Sequence, residues 1–377
     1  MKLFFIVGTR PEVIKLAPLI LLAKKKQMNV AVCATGQHRE ILQQALASFN
    51  IIPDYVLDVM EVNQSLTQLT HRLIPLLSEK IVAYQPDWVI VQGDTTSAFV
   101  GSLMAFYQGV KVAHVEAGLR TYNLQSPFPE ELNRQLISKI AVLHFAPTRQ
   151  AANHLAAEGI SAKNIFVTGN TVVDAVKTIA ENWQQTFPKL PAVLEEIVRD
   201  EKRKLILVTC HRRESFGEPL VNICRAVRSL CEKYPECSII FAVHPNPNVK
   251  EVVFRELNRV PHIYLVDPLE YEAALYVLSR AKLVLTDSGG IQEEAPSFAV
   301  PVVVMRHHTE RQEGIEKNFA LLAGTDAQKI IVAASYYLES PTLQETLAKK
   351  INPYGDGKAS ERILAVLAGQ SVEAFYG

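Results

Sequence analysis

Two kinds of segment alternate along the chain. Short runs rich in Val, Ile, Leu and aromatic residues recur, and stretches with helical spacing of apolar positions separate them. In the first half the runs are Leu3–Val7, Val30–Thr35, Trp88–Gly93, Lys111–Val115, Leu143–Pro147 and Ile165–Thr168. In the second half they are Leu205–Thr209, Ile239–Val243, Ile263–Val266, Leu283–Thr286 and Val300–Met305. Several are continuously apolar, the pattern of parallel strands covered on both faces by helices. A βα pattern written twice predicts an α/β protein of two doubly wound, Rossmann-like domains. The rhythm breaks between Ala180 and Lys204, where Pro188 and Pro191 interrupt a charged, helical stretch. The boundary is placed near Asn170, giving domains 1–170 and 171–360. Two such sheets facing each other would line one central cleft with their strand C-termini, where such sheets take ligands.

Composition narrows the function classes. Lys plus Arg and Asp plus Glu number 39 each, so no bulk charge favours nucleic acid or an anionic membrane. At 377 residues and 48% hydrophobic content, two cores can be filled. The N-terminal "MKLFFIVGTRPE" is too short in its apolar part for a signal peptide, and no run approaches a membrane span. The five cysteines form no CxxC pair and mostly lie in apolar runs, as expected of reduced thiols in the cytoplasm. The His307–His308 pair is adjacent rather than at helical spacing, so no metal site is expected.

The candidate chemistry lies where strands end. In "VGTRPEVIKLAP" the first strand turns at Gly8 into a helix that carries Arg10 and Lys15 near its start, a setting that suits an anion as well as a solvated helix terminus. "LTDSGGIQEEAP" follows another strand with Ser288, Gly289 and Gly290, which can bring backbone N–H groups to a phosphate, and Glu294 one turn on can accept from ribose hydroxyls; a plain helix cap is the alternative. "VTCHRRESFGEP" puts His211 after a strand, "AVHPNP" does the same with His244, and "VMRHHTERQEG" supplies Arg311. Asp94, Glu116 and Glu130 complete the set. Each alone could be structural, but three carboxylates along one crevice can divide acid and base roles.

Together "GTRPEVIK", "GDTTSA", "HVEAGLRT", "SPFPEELNR", "TGNTVVDA", "HRRESFGEP", "DSGGIQEEAPS", "TERQEG" and "NPYGDGKASERI" resemble the non-hydrolysing bacterial UDP-N-acetylglucosamine 2-epimerases, from Gly8 to about Ile363. The resemblance implies a glycosyltransferase-B architecture with a C-terminal helix, 361–377, returning to the first domain. It implies reversible conversion of UDP-GlcNAc to UDP-ManNAc without NAD or any other cofactor, by elimination of UDP to 2-acetamidoglucal and re-addition, and a supply of ManNAc units for surface polysaccharide. Position by position, Asp94, Glu116 and Glu130 match the acidic catalytic residues and His211 the histidine supporting the leaving group. Arg10, Lys15, Ser288, Gly289, Gly290, Glu294 and Arg311 match substrate- and UDP-binding positions, and Gln37 and His244 a second, activating UDP-GlcNAc site. A homodimer is implied as well. The chain departs from the family where Ala274 replaces an aromatic residue near the uracil, leaving Tyr271 or Tyr276 as substitutes, where Cys210 replaces a small residue before His211, and at Gln312, Glu40 and Asn63. Two related readings compete: a sugar transferase of the same architecture, and an epimerase for a modified UDP-HexNAc. The acidic triplet argues against the transferase, and the lack of GxGxxG after a strand argues against a dehydrogenase.

Overall fold

A computed structural model describes residues 1–36, 39–61, 64–183, 187–200 and 202–376. Gln37 and Asn63 lie outside the described residues. The chain forms two compact units, 1–179 with 354–377, and 180–353.

The first unit holds a seven-stranded sheet in the order β3-β2-β1-β4-β5-β6-β7. Its strands are β1 (Lys2–Val7), β2 (Asn29–Ala34), β3 (Tyr55–Val56), β4 (Trp88–Gln92), β5 (Lys111–Val115), β6 (Leu143–Ala146) and β7 (Ile165–Val167). Every pairing is parallel. Five of the six residues of β1 are buried, as a central strand covered on both faces requires. Phe4, Ile6, Val89 and Val91 pack with Leu73, Leu77 and Met104 of the flanking helices. The second unit repeats the plan with six strands in the order β10-β9-β8-β11-β12-β13. These are β8 (Lys204–Cys210), β9 (Cys237–Val243), β10 (Ile263–Val266), β11 (Leu283–Thr286), β12 (Val302–Val304) and β13 (Ala320–Leu322). Ile206, Val208, Phe241, Leu285 and Val303 form its core with Ile223 and Val227 of one helix.

Both units are therefore doubly wound parallel α/β domains, the components of the expected glycosyltransferase-B architecture. In each, the winding reverses beside the first strand, between β1 and β4 and between β8 and β11. Loops leaving neighbouring strands diverge there and open a crevice at the strand C-termini. The short edge strands β3 and β13 have no counterpart among the expected runs. Two or three residues on a sheet edge leave too little alternation to read.

The division falls after Ile179, later than the expected position near 170. The reason is the helix Thr171–Asn182, whose Asp174 accepts from the N–H groups of Ala359 and Ser360, at 3.2 and 2.7 Å, and so caps the helix Ala359–Leu367. That helix is shorter than the expected 361–377. The chain beyond it continues without helix, and Phe375 N–H donates to Val167 O at 2.8 Å on the free edge of β7. Gly169, at φ +84°, lies against Gly355, whose Cα would sit 3.3 Å from a Cβ there.

Candidate active site

Helix dipoles and backbone N–H groups already concentrate at the two reversal points, and charged side chains are added to them. In the first unit, the turn after β1 needs glycine at position 8. A Cβ there would fall 2.8 Å from Thr35 Oγ1 and from Ser97 Cβ. Glu12, wholly buried, accepts from Gly8 N–H (3.0 Å), Thr9 Oγ1 (2.8 Å) and Thr95 Oγ1 (2.7 Å), tying the β1 turn to the β4 turn. Burial pushes its carboxyl up to about 7, and the hydrogen bonds only partly offset that. Arg10 is half-buried as the first residue of the helix Arg10–Lys25. Lys15, one turn on, pairs with Glu116 at 2.6 Å, and both are buried. Gln92, the last residue of β4, donates to the same Glu116 oxygen. Glu116 follows β5 at φ +62°, a left-handed conformation that side-chain-bearing residues seldom adopt.

Asp94, just past β4, is held from the helix Glu130–Ile140. Arg134 donates to Oδ2 from Nε (3.0 Å) and Nη2, and Asn133 Nδ2 donates to the Asp94 carbonyl at 2.9 Å. The adjacent acids at the start of that helix divide sharply. Glu131 is fully buried and accepts from the N–H groups of Thr121 and Tyr122 at 3.0 and 3.1 Å. Glu130 is half-buried and has no hydrogen-bond partner among the described residues.

In the second unit the corresponding turns gather arginines, histidines and carboxylates. Asp287, directly after β11, is fully buried and accepts from the N–H groups of His211 and Arg212, Ser215 Oγ, Cys210 Sγ and His211 Nδ1, all between 2.8 and 3.3 Å. Burial would raise its pKa, but the hydrogen bonds, led by that from the His211 side chain, hold it at about 2. The His211 ring stacks on His244 with centroids 6.1 Å apart. Burial and the nearby His211 push the His244 pKa down. Ser288 stands just before the short helix Gly289–Glu294 without a side-chain cap hydrogen bond, and its own N–H donates to Thr286 Oγ1 at 2.9 Å. The Arg311 guanidinium lies flat against Gly289, where a Cβ would fall 3.0 Å from Cζ, and Nε donates to Glu293 at 2.9 Å. Arg306 joins it, 2.7 Å from Glu214, and both arginines reach Glu310. Burial, then the positive charge of Arg306, lowers the pKa of the neighbouring Arg212, whose buried Nε has no hydrogen-bond partner among the described residues. Three guanidinium groups near a glycine turn make a setting that suits an anion.

The family model described as UDP-N-acetylglucosamine 2-epimerase matches residues 21–368. The chain belongs to the UDP-N-acetylglucosamine 2-epimerase family. Family members similar to it include the epimerase of Yersinia pestis, 46% identical over 375 residues, with 99% of this chain and 100% of that one covered. The Campylobacter jejuni epimerase is 44% identical over 371 residues, 97% of each chain. Among solved structures, the UDP-GlcNAc 2-epimerase of Neisseria meningitidis, bound to UDP-GlcNAc, superposes with a TM-score of 0.89 at 42% identity, covering 98% of this chain and 100% of that one. The Methanocaldococcus jannaschii enzyme, in complex with UDP-GlcNAc and UDP, does so with a TM-score of 0.83 at 33% identity and the same coverage.

Against the family pattern, Ala274 lies on the helix Tyr271–Arg280. Tyr276 is taken up by edge-to-face contacts with Trp183 and Phe187, at 5.2 and 4.7 Å, and Tyr271 is buried. Glu40 is exposed, and Gln312 donates to Thr309 O at 2.6 Å. Among the described residues no cluster of three or more His, Cys, Asp or Glu could hold a metal ion, and no helix is long and apolar enough to cross a membrane. The sequence reading passed over Glu12, Gln92, Asn133, Arg134 and Glu310. All lie within a turn of a named candidate, Glu310 immediately before Arg311, and that proximity was the available signal.

Proposed function

We propose that this protein interconverts UDP-GlcNAc and UDP-ManNAc by elimination and re-addition. The observation that carries this reading is that Asp94, Glu116 and Glu130 stand at the first reversal point, while Arg212, Arg306 and Arg311 gather near a glycine turn at the second. Arg311, Arg10, Ser288, Gly289 and Gly290 take the diphosphate, Glu294 the ribose, and Asp94, Glu116 and Glu130 act on the sugar. One carboxylate takes the C2 proton. The C2–H electrons form the C1=C2 bond of 2-acetamidoglucal, and the C1–O electron pair leaves with UDP. His211 and the guanidinium groups stabilise the charge gained by the departing diphosphate. A second protic group then returns a proton to the other face of C2 while UDP re-adds at C1, so the acids never act as a single fixed base. The product serves as an activated ManNAc donor for surface polysaccharide.

The finer assignments have their own support. Five buried free cysteines suit a reducing cytoplasm. Exposed Ile74, Phe106, Leu132 and Leu136 sit on three helices that pack side by side in the first unit, an apolar face that suits a homodimer. His244 beside His211 suits an activating UDP-GlcNAc site.

NMR of UDP-GlcNAc incubated with the protein in D2O tests the reading. UDP-ManNAc should appear, with deuterium at C2 of both sugars and no response to NAD. Product formed with full retention of protium at C2 would overturn the mechanism, and absence of UDP-ManNAc the function.

A further inference from the structure

We infer that Asp287 is a positioning residue that makes Nδ1 of His211 a hydrogen-bond donor and leaves Nε2 as the nitrogen that meets the reactant. The inference rests on the role proposed above for His211. Its foundation is geometric: Nδ1 lies 3.1 Å from Asp287 Oδ1, the carboxylate is fully buried, and the His211 side chain is 40% exposed. Asp287 is ionised at any working pH, its pKa being held at about 2, and an ionised carboxylate only accepts. Nδ1 must therefore carry a proton. A second proton taken up at Nε2 would make an imidazolium whose counter-charge is already in place, so the ring can face the departing diphosphate as a cation.

The remaining contacts show why the arrangement is specific to a carboxylate. Oδ2 is filled by Arg212 N–H at 2.8 Å, His211 N–H at 3.0 Å, Ser215 Oγ at 3.1 Å and Cys210 Sγ at 3.3 Å, while Oδ1 faces Nδ1 and shares the His211 N–H at 3.1 Å. Backbone N–H groups cannot turn into acceptors. In Asp287→Asn the amide oxygen must therefore stay at the Oδ2 position, which places the NH2 group opposite Nδ1. The ring would then have to accept at Nδ1 and carry its proton at Nε2, the wrong tautomer for this role, as in other histidines deprived of their carboxylate. Because Asp287 also precedes Ser288 and the glycine turn, diphosphate binding and His211 orientation share one anchor.

The test is 15N NMR of histidine-labelled protein, with the His211 signals identified by their loss in His211→Gln. The Nδ1 resonance of the wild type should be that of a proton-bearing nitrogen. In Asp287→Asn it should become that of a bare nitrogen, with turnover reduced by about 10²-fold or more and KM for UDP-GlcNAc changed less than about threefold. A bare Nδ1 in the wild type would overturn the inference even if Asp287→Asn did not fold. So would an Asp287→Asn enzyme that keeps its turnover, or loses it with Nδ1 still protonated. Asp287→Glu, which restores an acceptor, should recover part of the turnover lost in Asp287→Asn. A fully active His211→Gln enzyme would instead overturn the role of His211, a failure told apart because the wild-type tautomer is read without turnover.

Discussion

A carboxylate works in this fold according to what already holds it. Glu130 and Glu131 are neighbours in the chain, yet Glu131 is spent on the Thr121 and Tyr122 N–H groups, while Glu130 opens its helix half-buried. Glu130→Gln is expected to lower epimerase turnover by at least about 10²-fold with an unchanged melting temperature. Glu131→Gln, which puts an amide NH2 among buried donors, is expected to cost about 1–3 kcal/mol of stability. Thermal melts and turnover of the two variants check this, and a reversed pattern would exchange their roles. Asp94→Asn and Glu116→Gln should behave as Glu130→Gln does, and at least one of the three should release UDP and 2-acetamidoglucal faster than it forms UDP-ManNAc. If all three keep near-native turnover, the carboxylates are structural.

Turns between strands and helices set the next scale. At Gly289 the absent Cβ is what lets the Arg311 guanidinium lie on the backbone while Glu293 and Glu310 hold its nitrogens. Gly289→Ala should push the guanidinium aside and weaken UDP binding by about tenfold, a loss of roughly 1.4 kcal/mol. The fold should persist, because φ at Gly289 is not positive. Titration calorimetry with UDP measures this, and unaltered affinity would remove the close packing from the account of the nucleotide site. Gly8 serves the other unit differently, since a side chain there would strike Ser97 and Thr35 and separate the first turn from its neighbours.

Whole-molecule stability should fall in acid. His114 and His144 face each other across β5 and β6, and burial holds them down to about 3 and about 4. In the unfolded chain both titrate near the ordinary 6.5, so below that pH the unfolded state binds protons the folded state refuses. Stability is lost progressively as pH falls from about 6.5 towards 4. Glu12 acts in the opposite sense: with its pKa raised from 4.5 to about 7, its contribution is fully present below 4.5 and lost as pH rises through 7. Two histidines together outweigh one carboxyl. Urea midpoints should therefore be lower at pH 5 than at pH 7.5, by about 1–2 kcal/mol in extrapolated stability. A higher midpoint at pH 5 would show that the pair is not buried neutral, and replacing His144 with Gln should reduce the difference.

The sequence by itself determined the two parallel sheets, because continuous apolar runs such as Leu3–Val7 and Leu283–Thr286 suit strands buried on both faces. It also placed the candidate chemistry at strand ends, since Arg10, Asp94, Glu116, His211 and Ser288 each follow such a run. Family membership was legible for the same reason: its motifs are contiguous in the chain. Partnerships were not, because hydrogen bonds join residues far apart in sequence. Only the tertiary structure decided that Lys15 stands on Glu116, that Arg134 holds Asp94, and that Asp287 reaches the His211 ring. It alone separated Glu130 from Glu131, whose identical side chains differ in burial and in the N–H donors the folded chain aims at them.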